Sequence, residues 1–143
     1  MIPKTKLIYS YIYGKRFDSG FCDDYICKLQ ILFKEFKKIY NKYINEILEV
    51  ISKESNIWEV EYIPIYLTIN IIPFSNPLTL RYNNNPKYIL TVLIHELIHN
   101  NINKKFINRE ELHKYIKRIM DKVINNLSIN LEPEYEELLK NIK

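Results

Sequence analysis

The sequence predicts an α+β fold: a small, mostly antiparallel sheet packed by a long N-terminal helix, a His-Glu-x-x-His helix and one or two C-terminal helices. From Asp23 to Ser55, apolar residues recur at intervals of three and four, the spacing of an amphipathic helix. Residues 57–82 are largely β-branched or aromatic and are interrupted by prolines, which favours short strands. After residue 86 the helical spacing returns, so helices and strands are segregated along the chain.

The composition indicates one globular domain spanning residues 1–143. Hydrophobic residues make up 47% of the chain and charged residues 27%, a globular rather than a disordered balance. A chain of this length can bury a core without disulfides or other staples. Cys22 and Cys27 are the only cysteines. They lack the second pair that a structural metal site usually has, so we expect two reduced thiols.

Charge and hydropathy limit the partners. The formal net charge is +4, but lysines alternate with glutamates along helical stretches, which indicates solvated helix faces. Nucleic acid is a possible but unsupported partner, because no dense basic run with interleaved aromatics is present. The N-terminal segment is not of the signal-peptide type, and no apolar run approaches transmembrane length. We therefore expect a cytoplasmic protein with no membrane partner. Its oligomeric state is not specified by the sequence.

The first half of the chain should supply a strand, the long helix and the sheet. Lys6–Tyr13 is β-branched and aromatic, which predicts a strand. The long helix follows, with Asp23 favourably placed at the positive N-terminal end of the helix dipole. Beyond it, Trp58, Val60 and Tyr62 alternate with glutamates, and prolines divide this segment into two to four strands.

Helix-start signals mark the second half. Asn85 is a typical N-cap, and Pro86 suits the first helical position, so a helix is predicted from residue 86 to about residue 104. Asn108 with Glu111 three residues later forms a capping box, which predicts a further helix over residues 109–127.

The segment LIHELIHNN, residues 93–101, carries a His-Glu-x-x-His motif formed by His95, Glu96 and His99. On a helix, residues four apart lie one turn apart on the same face, so the two imidazoles can converge on one ion. Zinc accepts neutral histidine nitrogens and leaves a position open to water in catalytic sites. Glu96 is then placed beside the ion as a general base and acid, not as a ligand. The motif predicts a Zn²⁺ site with Glu96 as the catalytic residue.

The position of the motif around its helix supports this interpretation. Apolar side chains cover roughly 220° of the circumference, which predicts a mostly buried helix. His95, Glu96 and His99 share the remaining sector with Asn103. A polar strip on an otherwise interior helix is typical of a helix at the floor of a cleft. The competing interpretation is two histidines at the edge of an ordinary core helix, with rings that point apart or that leave no room for an ion and solvent between them.

A third zinc ligand must come from outside the motif, because two histidines do not complete a catalytic site. If the chain turns over residues 105–108 and the next helix returns antiparallel, the residue opposite His99 lies near position 113, which is His113. Glu110 and Glu111 lie closer to the solvent side of that next helix. Several alternatives stay open for the third ligand: Glu110, Glu111, Asp121 or a glutamate of the short acidic helix that is predicted from Pro133 onward.

With these residues assembled, the segment NPLTLRYNNNPKYILTVLIHELIHNN resembles zincin metallopeptidases and is most similar to the SprT-like group. In that group a strand and a short loop lead into the zinc-motif helix, and a third histidine follows. The resemblance covers about residues 65–120. It implies zinc binding by His95, His99 and His113, catalysis by Glu96 and hydrolysis of peptide bonds. The minigluzincin group is second in similarity, and there the third ligand is a glutamate on the next helix.

A peptidase of this kind would bind a peptide or an unfolded protein as an added strand at the edge of the sheet within residues 57–82. Tyr82 or Tyr115 would stabilise the oxyanion. Two other functions stay open. One is a non-catalytic or latent zinc-binding domain whose fourth metal position is blocked by an acidic side chain of the tail. The other is a nucleic-acid-associated helical domain with an accidental motif. The tail offers three acidic side chains for blocking: Glu134, Glu136 and Glu137.

Overall fold

The computed structural model of the chain describes residues 2–9, 23–68, 73–75, 77–102 and 108–141. Within these residues the elements, in chain order, are β1 (Lys4–Tyr9), α1 (Asp23–Glu54), β2 (Tyr62–Thr68), β3 (Phe74–Ser75), β4 (Leu78–Arg81), α2 (Pro86–Asn101), α3 (Arg109–Asn126) and α4 (Glu132–Asn141). The predicted α+β class and its set of helices are confirmed. None of the helices in this described part combines the length and the hydropathy that a membrane span requires.

The predicted direction of the strands is wrong, because the three longer strands of the described sheet are parallel. The strand order is β1-β2-β4-β3. β1 pairs with β2, and β2 with β4, in parallel, whereas the two-residue β3 pairs antiparallel with β4. The reason lies in the connections. α1 carries the chain from the end of β1 back to the start of β2, and such a crossover makes neighbouring strands parallel. After β2 the chain first forms the edge strand β3. It then returns antiparallel to form β4, which lies between β3 and β2.

The segment before β4 differs from the prediction in two details. Residues 57–60 form no strand, and Trp58 is buried at 3% exposure, where its Nε1 donates to the Leu48 backbone oxygen at 3.1 Å. Pro64 lies inside β2 instead of ending a strand. It pairs with Lys6 of β1, in the part of β2 that β4 does not reach, so its missing N–H removes no hydrogen bond to β4.

The helix ends follow the signals in the sequence. The side chain of the N-cap Asn85 accepts a hydrogen bond from the Lys87 backbone N–H at 3.1 Å, and Asn108 accepts one from the Glu111 backbone N–H at 2.9 Å. Both predicted N-caps are thereby confirmed. α2 ends at Asn101, three residues earlier than predicted.

Some predictions fall outside the described residues. β1 begins two residues before the predicted strand, and positions 10–13 of that prediction lie outside the description. The same holds for Cys22, the side chain of Cys27 and Asn103.

α2 is the centre of the molecule. It packs against α1, α3 and α4, and against the strands β3 and β4. Its inward side chains are at most 1% exposed: Ile89, Leu90, Leu93, Ile94, Leu97 and Ile98. Each such side chain stabilises the fold by about 1.5 to 3 kcal/mol when it leaves water. The core therefore holds α2 in place, so His95, Glu96 and His99 on its less buried face need not contribute to its position.

Candidate metal centre

His95 and His99 face each other on the less buried side of α2. Their Nε2 atoms are 3.0 Å apart, and their rings meet edge to face, with centroids 4.6 Å apart and planes at 72°. Two nitrogens bound to one tetrahedral zinc ion at 2.0 to 2.1 Å lie about 3.3 Å from each other. The pair is therefore close to the separation that a shared ion needs. Without an ion, the same contact is a hydrogen bond between neutral imidazoles of opposite tautomers.

Both imidazoles are neutral at pH 7. Burial, together with the nearby His99 and His113, lowers the pKa of His95 to about 4. Burial and the nearby His113 also lower the pKa of His99. A neutral imidazole keeps the lone pair that a metal ion requires. The pair can thus accept a cation at neutral pH without a net loss of protons, once the ring that donates through Nε2 carries its hydrogen on Nδ1 instead.

Glu96 lies between the two histidines in the sequence and is only 9% exposed. Burial raises the pKa of its carboxyl to about 7. Near neutral pH the carboxyl is therefore divided between its protonated and ionised forms, which suits a group that takes up and gives back a proton. Glu96 and His95 both line a cleft of about 620 Å³.

The walls of this cleft come from four parts of the fold. Besides His95 and Glu96, the lining residues are Pro73 before β3, Arg81, Tyr82 and Asn83 at the end of β4, Tyr88 and Val92 on α2, and Glu137, Leu138 and Asn141 on α4. The Asn141 side-chain amide donates to the Tyr88 hydroxyl at 3.0 Å, so the end of α4 is joined to the start of α2 across the rim.

Several of these lining residues were not predicted from the sequence. Tyr88, Val92 and His95 follow one another at intervals of four and three, so helical periodicity was a signal that could have revealed Tyr88. Arg81 ends the strand that precedes the motif, which is a weaker signal. Asn141 carried no signal, because it reaches the cleft only through the packing of α4.

His113 approaches the histidine pair from α3. It lines, together with His95 and with Tyr135 of α4, a second cavity of about 170 Å³. Its imidazole is exposed, and the Arg109 Nε–H donates to its Nε2 at 3.5 Å. Within the described residues, however, no three side chains of His, Cys, Asp or Glu lie close enough together to hold a metal ion. The structure thus places two candidate ligands in contact and leaves His113 in the neighbouring cavity.

The acidic alternatives on α3 face water. Glu110 forms an exposed ion pair with Lys114, with 3.1 Å between the Glu110 Oε1 and Lys114 Nζ atoms. Glu111 is exposed, and its backbone N–H is bound by the Asn108 side chain. Neither residue lines the cleft that holds His95 and Glu96.

The structure also shows which acidic residue of the tail, and which of the two candidate tyrosines, lines the cleft. Glu137 lines the cleft, Glu134 is buried at 6% exposure and Glu136 is exposed. Tyr82 lines the cleft, whereas the Tyr115 hydroxyl pairs with the Ser55 hydroxyl beyond the end of α1. Tyr82 is the better placed of the two tyrosines to contact a bound substrate.

Two asparagines directly after His99 hold the end of α2. The Asn100 side-chain amide donates to the Ser75 backbone oxygen of β3 at 2.8 Å. The Asn101 side chain accepts from the Asn56 backbone N–H at 3.1 Å and donates to the Asn56 backbone oxygen at 3.0 Å. These bonds join the helix that carries the histidines to the sheet edge and to the loop after α1, which limits movement of the site.

Comparison of the chain with models of known protein families, with curated proteins and with solved structures finds no match. The resemblance to zincins therefore remains a prediction that depends on the motif and its flanking segments. The described geometry defines a class of site: a neutral histidine pair next to a buried carboxyl, with that carboxyl and the His95 imidazole both lining a cleft.

Proposed function

We propose that the chain is a zinc-dependent metallopeptidase that hydrolyses peptide bonds in peptides or unfolded proteins, in the cytoplasm. One observation carries the proposal. The Nε2 atoms of His95 and His99 are 3.0 Å apart, beside a buried Glu96 that lines the same cleft as His95. Helical spacing alone brings two histidines four residues apart close together. The buried carboxyl of Glu96, which lines the same cleft as His95, supplies what a catalytic zinc site needs in addition.

His95 and His99 would hold the ion, with His113 as the third ligand. His113 shares a cavity with His95, and its hydrogen bond from Arg109 is long at 3.5 Å. Exposed side chains change rotamer within nanoseconds. If the His113 side chain turned toward His95, it would lose the long hydrogen bond from Arg109 and gain a bond to the metal ion.

A zinc ion held by these residues would polarise the scissile carbonyl and lower the pKa of a water molecule. Glu96 would accept a proton from that water as its oxygen adds to the carbonyl carbon, and would deliver the proton to the amine nitrogen as the C–N bond breaks. Tyr82 would donate a hydrogen bond to the carbonyl oxygen as negative charge develops there. Val92 and Leu138 give the cleft an apolar wall that limits water around these groups.

A second function, zinc binding without catalysis, is favoured by a different observation. α4 supplies Glu137, Leu138 and Asn141 to the wall of the cleft, and Asn141 is hydrogen-bonded to Tyr88 across the rim. If α4 stays in this position, it takes up space that an extended peptide would need.

Metal content tests the set of ligands. Purified protein, reconstituted with zinc and passed over a desalting column, should retain about one zinc ion per chain by elemental mass spectrometry. His99→Ala and His113→Ala should each lose most of the metal. Glu110→Ala is the matched control, because Glu110 lies on the same helix as His113 but faces solvent. Wild-type protein that retains no zinc would refute the proposal, and metal loss in Glu110→Ala alone would replace His113 as the third ligand.

Activity then separates the two functions. Glu96→Gln should keep its zinc yet cleave casein at least a hundredfold more slowly than the wild type, because the proton acceptor is lost. If zinc-loaded wild-type protein cleaves neither casein nor a mixture of unstructured peptides, the non-catalytic function is the correct one.

A further inference from the structure

The cleft beside Glu96 contains one cationic side chain among its described lining residues, Arg81. Arg81 is exposed. Its guanidinium has no ion pair or hydrogen bond with any residue that the structure describes. A charged group that lines a concave site and is not neutralised there is available to a ligand of the opposite charge.

The backbone of Arg81 is held firmly, although its guanidinium pairs with no residue in the described part of the chain. Arg81 is the last residue of β4 and pairs with Thr68 of β2. The next backbone N–H, that of Tyr82, donates to the Thr68 backbone oxygen at 2.6 Å. Three residues further on, Asn85 caps α2. The backbone of Arg81 is therefore fixed between the sheet and the helix that carries His95 and Glu96. Rigid elements thus set the distance from this backbone position to the reacting groups.

Among the polar groups that line the cleft, Arg81 is the one whose charge suits it to bind an anion. Asn83, Asn141, Tyr82 and Tyr88 are neutral donors and acceptors. Glu137 carries the opposite charge, but it stands on α4 and forms no ion pair with Arg81 within the described residues. A negative group entering the cleft would be repelled from the α4 side and attracted to the β4 side.

We propose that Arg81 determines substrate specificity by binding a carboxylate of the peptide, so that the cleft prefers acidic substrates. This inference rests on the proposed peptidase function and names its substrate class. A guanidinium forms two parallel hydrogen bonds with a carboxylate, which fixes the orientation of the bound chain as well as its charge. The carboxylate belongs either to an Asp or Glu side chain near the cleaved bond or to the C-terminus of the peptide.

The test uses a set of matched fluorogenic peptides of one sequence. An N-acetylated, C-amidated peptide carries Glu, Gln or Lys, placed in turn at three positions on each side of the cleaved bond. A further Gln peptide has a free C-terminal carboxylate, which distinguishes the two sources of the anion. The proteins are zinc-loaded wild type, Arg81→Gln and Arg81→Glu. Arg118→Gln is the matched control, since it removes the same charge from α3, where the guanidinium lies over the Tyr115 ring.

In the wild type, kcat/KM for the best Glu peptide, or for the free-acid peptide, should exceed that of its neutral counterpart on the order of tenfold, as expected for a charge-assisted pair near the surface. Arg81→Gln should abolish this preference, Arg81→Glu should transfer it to the Lys peptide, and Arg118→Gln should keep it. A wild type without preference for either carboxylate, or an Arg81→Gln variant that retains the preference, overturns the inference.

A binding measurement keeps this inference separate from the proposed function. Fluorescence anisotropy with the zinc-loaded Glu96→Gln protein, and with the same protein carrying Arg81→Gln, reports affinity without cleavage. If no protein cleaves any peptide, the proposed function fails. A tenfold preference for the acidic peptide that disappears with Arg81→Gln would still support carboxylate binding by Arg81, and equal affinities of the two proteins would refute it.

Discussion

Replacing Glu96 by glutamine should stabilise the metal-free protein above pH 7 and leave its stability nearly unchanged near pH 4.5. The reason is the burial of the Glu96 side chain, which is 9% exposed. Burial raises the pKa of its carboxyl from 4.5 to about 7. Ionising this group inside the folded protein therefore costs free energy that the unfolded chain does not lose, and an amide of the same shape carries no such cost.

The sign and the size follow from proton linkage. Between pH 4.5 and pH 7 the folded state holds a proton that the unfolded chain has released, so the free energy of unfolding falls as the pH rises. At about 1.4 kcal/mol for each pH unit, the fall amounts to about 3 kcal/mol and is complete above pH 7. His95 and His99 act in the opposite sense, because their lowered pKa values reduce stability as the pH falls below 6.5. The contribution of Glu96 is therefore obtained from the difference in free energy of unfolding between the wild type and Glu96→Gln.

Urea denaturation at intervals from pH 4.5 to pH 8.5, after removal of metal with EDTA and dialysis, measures this difference. We expect the variant and the wild type to agree within about 0.5 kcal/mol at pH 4.5 and the variant to be more stable by about 3 kcal/mol at pH 8. Glu136→Gln, which removes an exposed carboxylate, is the control and should change stability by less than about 0.5 kcal/mol throughout. Parallel pH profiles of wild type and Glu96→Gln would refute the reasoning.

Three further predictions follow from other contacts. His95→Gln should reduce the fall in the free energy of unfolding of the metal-free protein between pH 6.5 and pH 4 by up to about 3 kcal/mol in urea denaturation. An equal fall in wild type and variant over this pH range would contradict the lowered pKa of His95. Asn101→Ala should cost about 2 kcal/mol in urea denaturation, against about 1 for Asn100→Ala, because two side-chain bonds are lost instead of one. Tyr82→Phe should lower kcat about tenfold or more, whereas Tyr115→Phe should lower only stability; equal kcat values for the two variants would exclude Tyr82 from catalysis.

The local parts of this protein could be read from the sequence. Asn85 and Asn108 cap helices as predicted, since a cap depends on a side chain and on the backbone N–H groups two or three residues away. The convergence of His95 and His99 follows in the same way, because four residues on a helix amount to about one turn. The burial of the apolar face of α2 follows from the helical periodicity of its side chains.

The tertiary structure alone decided the direction of the strands and the walls of the cleft. Alternation and prolines do not reveal that α1 forms a crossover, and this connection makes β1 and β2 parallel. Arg81 and Asn141 line one cleft with Glu96 only because β4 and α4 both pack against α2. The distance from His113 to the histidine pair likewise depends on how α3 packs against α2. Periodicity and capping act over one or two helical turns, whereas these arrangements come from packing between residues far apart in the chain, which no local pattern encodes.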